Sequence, residues 1–206
     1  MEYNPAKGEL ITGRELSKLD IFVLDFLSIL IKNKVDYVIV SGYVSIVLGR
    51  SRATEDVDLL VPEMSFSDFN SLFSQLSQKD YECANTTKPE EAYNFMKEHA
   101  IRFYKKGNPI PNIEFKLIKN DLDRYSFGNR IRLIIGKKQM FISPLELHVA
   151  FKLLLAADGT EEELASDKDI EDARFIYQLF KDKLNKEVLT TFIDKLKVRN
   201  KLRWIE

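Results

Sequence analysis

Residues 37–61 read Tyr-Val-Ile-Val-Ser-Gly-Tyr-Val-Ser-Ile-Val-Leu-Gly-Arg-Ser-Arg-Ala-Thr-Glu-Asp-Val-Asp-Leu-Leu-Val. An apolar run ends in Ser41-Gly42, a helix-length segment follows, and a second apolar run carries Asp56 and Asp58. Side chains two apart in a strand point to the same side, so the two carboxylates project together while Val57 and Leu59 face the other way. Like charges held side by side repel, and a bound divalent cation is the usual compensation.

Upstream, Leu16, Leu19, Phe22, Val23, Phe26, Leu27, Leu30 and Ile31 recur at helical spacing and predict a helix from Arg14 to about Lys34, after an irregular lead over residues 1–13. Val35–Val40 reads as a short buried strand, Tyr43 to about Leu48 as a helix, and Asp56–Val61 as a strand stopped by Pro62. Phe66, Phe69, Leu72, Phe73 and Leu76 predict an amphipathic helix over 65–76. The polar segment 82–98 has no decisive period. Ala100–Tyr104 and Ile113–Ile118, with Lys106-Gly107-Asn108-Pro109 as a turn, read as one hairpin; 130–135 and 139–142 read as a second. Ser143-Pro144 suits an N-cap followed by an N1 proline. Helices are expected over 145–157, 167–181 and 184–198. The pattern predicts an α+β fold, a mixed sheet flanked by helices, with residues 1–143 as the core and 144–206 as a helical C-terminal subdomain packed on it.

Near-balanced charge, −1 net with 31% charged residues, excludes a disordered tail or a protein that coats nucleic acid by bulk charge. One cysteine, Cys83, excludes an internal disulfide and a thiolate zinc site. The start lacks a secretory layout, and the apolar runs are too short and too charged to span a bilayer, so a cytoplasmic protein with no membrane partner is expected.

On the second strand of the first hairpin, Glu114 and Lys116 share one face. If that strand lies beside Asp56 and Asp58, Glu114 completes a three-carboxylate cluster suited to Mg²⁺ or Mn²⁺. The Ser41-Gly42 turn offers backbone N–H groups to phosphate oxygens, and Arg50 and Arg52 can neutralise a triphosphate. Competing readings stand beside these. Glu114 can pair with Lys116 or with Arg102 across the hairpin. Lys152 can snorkel from an apolar helix, and Asp169 with Asp172 can serve a helix start near Ser166. His99 and His148 lack partners at ligand or triad spacing and read as structural. The Lys/Arg excess between Lys181 and Arg203 reads as a solvated helical face or as a surface for an RNA end.

The Ser41-Gly42 turn, followed by Gly49-Arg50-Ser51-Arg52-Ala53-Thr54-Glu55-Asp56-Val57-Asp58-Leu59, resembles the signature of the DNA polymerase β-like nucleotidyltransferase superfamily. That signature is a Gly-Gly or Gly-Ser turn, a D-x-D or D-x-E strand and a distal acid. More narrowly, the stretch is similar to the small AbiE-toxin-like (AbiEii-type) nucleotidyltransferases, in which R-x-[ST]-x-D-x-D recurs and a later Lys precedes a K-D-x-x-D element. Here Lys152 and Lys168-Asp169-Ile170-Glu171-Asp172 stand in that order. The resemblance implies metal binding by Asp56, Asp58 and Glu114, triphosphate contact at Ser41 and Gly42, and nucleotide contact or support from Lys152, Asp169 and Asp172. It implies an NTP substrate, Mg²⁺ or Mn²⁺, an acceptor such as an RNA or tRNA end, and an antitoxin protein as partner. Two departures stand out: Ser41 replaces the first glycine, and the third acid is Glu rather than the commoner Asp. They motivate the alternative, a nucleotidyltransferase-fold binding or regulatory module without turnover.

Overall fold

The structure, a computed structural model, describes residues 1–159, 162–163 and 166–206. Among these residues nine strands form one mixed sheet in the order β1-β2-β8-β9-β3-β4-β7-β6-β5. Inside it, next to the central strand β3 (Val38–Val40), lies β4 (Asp56–Val61), antiparallel to β3 and parallel to β7 (Asn108–Leu117). Outward from β7 run β6 (Ile101–Lys105) and β5 (Tyr81–Cys83). On the other side lie β9 (Lys138–Ile142) and β8 (Ile131–Ile135), then β2 (Glu9–Thr12) and β1 (Glu2–Asn4).

Alternation along β4 and β7 sends Val57, Leu59, Ile113 and Phe115, all fully buried, to one face of the sheet. Helix α1 (Lys18–Lys32) lays Phe26 over this face, where its ring meets Tyr81, Phe103 and Phe115. Helix α3 (Phe66–Gln78) adds Phe73 against Phe103. The opposite face carries Asp56, Asp58, Glu114 and Lys116. Helices α5 (Asp121–Gly128) and α6 (Leu145–Leu155) stand over it and leave a cleft. Helices α7 (Lys168–Phe180) and α8 (Lys186–Lys195) pack on α6, and one apolar core runs from the sheet into all three. No helix among the described residues is long and apolar enough to cross a membrane.

Several sequence expectations are corrected here. The lead is not irregular: β1 and β2 extend the sheet, and β2 pairs in parallel with β8. The polar 82–98 segment holds helix α4 (Pro89–Met96). β7 begins at Asn108, which narrows the turn before it to Lys106 and Gly107. Ser143 is no cap: α6 starts at Leu145 with Pro144 in the cap position and no side-chain cap bond. The cap of α7 is Asp167, whose carboxylate accepts from the N–H groups of Asp169 and Ile170.

The short helix α2 (Gly42–Val47) follows β3 directly and is fixed from below. Its fully buried Tyr43 donates to Asp20 Oδ1 at 2.6 Å, and Arg14 Nε donates to Val47 O at 2.7 Å at the C-terminal end. Burial would raise Asp20, but bonds from Arg14, Tyr43 and Ser17 hold its carboxyl below the ordinary range.

Candidate active site

The parallel pairing of β4 with β7 puts Asp58 directly opposite Glu114. Partners in register on adjacent strands project to the same side. Lys116, one pleat further along β7, reaches back between them: its Nζ lies 2.5 Å from Asp58 Oδ1 and 2.7 Å from Glu114 Oε2. Arg102, opposite Glu114 on β6, bonds the other Glu114 oxygen. Both pairings weighed for Glu114 in the sequence are therefore present at once.

Burial pushes Asp58 above the ordinary carboxylate range, and the neighbouring Glu114 adds to the rise against the pull of Lys116. Burial also opposes ionisation of Glu114, but its bonds with Lys116, Asp58 and Arg102 hold it below that range. Lys116 loses by burial and gains more from the two carboxylates, so it is shifted up. Asp56 lies on the same side of β4, towards the Ser41 turn, with Thr54 Oγ1 3.3 Å from its Oδ1.

Among the described residues, no group of three or more His, Cys, Asp and Glu side chains is arranged to hold a metal ion. The three-carboxylate cluster expected from the sequence is thus not assembled, although the oxygen donors are of the right kind. Two carboxylates already converge on a single cation, the Lys116 ammonium, and all the oxygens are the hard donors that Mg²⁺ and Mn²⁺ take.

Beside the carboxylates opens a polar cleft of about 490 Å³, lined by Ser41, Gly42, Arg52, Asp56, Lys152 and Lys168 among others. Ser41 sits at φ +62°, ψ −145°, a backbone region otherwise left to glycine. The turn thus keeps a glycine conformation without a glycine. We expect Ser41→Gly to raise stability by about 1 kcal/mol, the low end for one such residue. Thermal unfolding checks this, and an equal gain with Ser41→Ala would show that backbone strain is not the cause. Gly42 acts differently: a methyl on its Cα would overlap the Arg52 guanidinium, so glycine lets that side chain lie across the turn.

The two arginines take different places. Arg52 lines the cleft, whereas Arg50 is bound to Glu171, Asp172 and the Lys168 carbonyl on α7. Lys152 does not snorkel. It is 2% exposed and holds Asp169 Oδ1 at 2.5 Å and Asp172 Oδ2 at 2.8 Å, the latter as an ion pair without hydrogen-bond alignment. Asp169 also lines the cleft; Asp172 lies beneath it, fully buried, with Arg52 Nε at 3.4 Å.

His148 is buried on α6, its Nε2 3.0 Å from Ser45 Oγ, and burial with the nearby Lys152 charge pushes its pKa down to about 3. A neutral histidine in the fold and an ordinary one near 6.5 in the unfolded chain mean that the unfolded state binds the extra proton between those values. Stability contributed by this group is complete above pH about 6.5 and declines as pH falls through that window, by at most about 1.4 kcal/mol per pH unit. Urea unfolding at stepped pH checks this, with His148→Phe flattening the slope.

Of the C-terminal basic residues, Lys201 is buried on the Ala156 carbonyl and Arg199 pairs with Asp194. Sequence reading missed Lys116 as the cation between the acids, and it missed the helix α5 that roofs this face. The Asn120–Asp123 capping box was the available signal for α5.

The large mixed sheet flanked by helices is the fold of solved nucleotidyltransferase-like proteins. An antigenic nucleotidyltransferase-like protein from Paracoccidioides brasiliensis is similar at 20% identity and a TM-score of 0.56, over 91% of this chain and 92% of that one. A crystal structure of ANT(2")-Ia in complex with adenylyl-2"-tobramycin is similar at 12% identity and TM-score 0.55, over 89% and 99%. The solution structure of the antibiotic-resistance factor ANT(2'')-Ia gives 11%, 0.54, 91% and 96%. No protein-family model and no curated protein sequence matches the chain.

Proposed function

We propose that this chain is a metal-dependent nucleotidyltransferase that moves an NMP from an NTP to an acceptor hydroxyl. One observation carries the reading: Asp58 and Glu114, in register on parallel strands, close on one cation beside a polar cleft that begins at the Ser41-Gly42 turn. Asp56, Asp58 and Glu114 would hold Mg²⁺ or Mn²⁺, which when bound supplies charge stabilisation on the transferring phosphate and lowers the pKa of an attacking hydroxyl. Arg52 and Lys168 balance charge on the β- and γ-phosphates in the cleft, and Ser41 and Gly42 form its floor. Lys152 with Asp169 and Asp172 holds α6 and α7 in place behind it.

The test is transfer from α-labelled and γ-labelled NTPs to separate acceptor pools: total RNA, tobramycin, small alcohols and protein. Label from the α position in any acceptor supports the reading; label only from the γ position identifies a phosphotransferase and overturns it. A second reading, a binding module without turnover, is favoured by the double neutralisation of Glu114 by Lys116 and Arg102. It gives NTP-dependent heat stabilisation with no label transferred. The RNA end and the antitoxin partner implied by the resemblance enter as arms of the same assay and of a co-purification.

A further inference from the structure

A second cleft, of about 280 Å³, meets the polar one at Ser41, Asp58 and Leu155. Its floor is the sheet face at Val40 and Leu60, and its walls are Leu122 on α5 with Leu147 and Phe151 on α6. The size falls near the lower end of small-molecule pockets, roughly 300 Å³. Two features set its chemistry. Ser126 and Ser143 line it at 3% and 4% exposure, and neither hydroxyl has a hydrogen-bond partner among the described residues. Buried hydroxyls are rarely left unpaired, so a pair of them in one cleft marks where a ligand's polar group belongs. Every charged side chain in the lining is already engaged: Asp58 and Lys116 with each other, Asp123 with the backbone N–H groups of Lys119 and Asn120. An amine entering here meets the Lys116 ammonium on the sheet face, and the walls supplied by Leu122, Leu147 and Phe151 offer it no counter-charge.

We infer that this cleft takes the acceptor, and that the acceptor is an uncharged ring alcohol with a second polar group for Ser126 and Ser143. The inference rests on the nucleotidyltransferase reading and names its substrate class. In-line displacement requires nucleophile and leaving group on opposite sides of the α-phosphorus. With pyrophosphate leaving into the polar cleft, the nucleophile comes from the far side of Asp58, where the apolar cleft opens. The acceptor oxygen forms its bond to the α-phosphorus as the bond to the bridging β-phosphate oxygen breaks. The electron pair leaves with pyrophosphate, and the hydroxyl proton is released to solvent water.

The probe is 2,7-dihydroxynaphthalene, with 2-naphthol as the ring lacking the second hydroxyl. Fluorescence titration of the full chain is expected to show the diol bound more tightly than 2-naphthol. Ser126→Ala and Ser143→Ala should each weaken the diol about three- to tenfold, the worth of one hydrogen bond, and leave 2-naphthol unchanged. Neither variant lowers the melting temperature, because each removes an unpaired hydroxyl, and Leu122→Gln, half-exposed on α5, weakens both rings. With α-labelled ATP and Mg²⁺, label appears in the diol. Diol binding that ignores all three substitutions, or label confined to RNA or tobramycin, overturns the acceptor assignment alone. So does a loss of ATP–Mg²⁺ heat stabilisation in the serine variants, which would place the nucleobase here. Absence of that stabilisation in the wild-type chain overturns the nucleotidyltransferase reading and this inference with it.

Discussion

Asp58→Asn is expected to reduce α-labelled NMP transfer at least a thousandfold, equivalent to about 4 kcal/mol of transition-state stabilisation, while the melting temperature stays within a few degrees. The position combines three roles no other residue shares: it faces Glu114 across the parallel pair, shares Lys116 with it, and borders both clefts. An amide keeps the shape and the acceptor oxygen but not the charge that a divalent ion needs. Stability is spared because burial already works against the Asp58 charge, and Lys116 keeps Glu114 as a partner. Single-turnover transfer with wild type and variant in parallel is the measurement. Activity within tenfold of wild type would remove the carboxylate pair from the chemistry.

Asp172→Ala is expected to give the largest loss of stability, about 3–5 kcal/mol, the usual result of leaving a buried charge without its partner. The carboxylate is fully buried against Lys152, Arg50 and Arg52, and Lys152 is itself 2% exposed. These cations come from α6 and from the loop that leads into β4, so the cluster ties the C-terminal helices to the segment delivering Asp56 and Asp58. Denaturant unfolding measures the loss, and Asp169→Ala gives the comparison, since Asp169 holds Lys152 alone and borders the cleft. A change under 1 kcal/mol at Asp172 would mean that water or rearrangement satisfies the three cations.

Much of the site's order was legible along the chain. Alternation in Asp56–Val61 set which residues face together, and Glu114 was expected to join them if its strand lay alongside, as it does opposite Asp58. What local pattern could not supply was that condition, because parallel pairing of β4 with β7 joins residues 58 and 114 across a connection that holds two helices and the two strands β5 and β6. The same limit hid β1 and β2, strands of three and four residues that reach the sheet through the long-range pairing of β2 with β8. Ser143 shows the reverse failure: its sequence context suited a cap, but α6 starts beyond it and frees the hydroxyl for the cleft.

Side-chain periodicity, turn residues and charge spacing act over a few neighbours, and they determined the alternating acids, the helical C-terminal portion and the nucleotidyltransferase-like signature. Tertiary structure alone decided which charges meet: Lys116 between the carboxylates, Arg50 turned to α7 while Arg52 crosses Gly42, and Lys152 held in the cleft wall by Asp169. The reason is physical. A charged side chain's partner is fixed by distance in space and by burial, and neither quantity is carried by position along a chain.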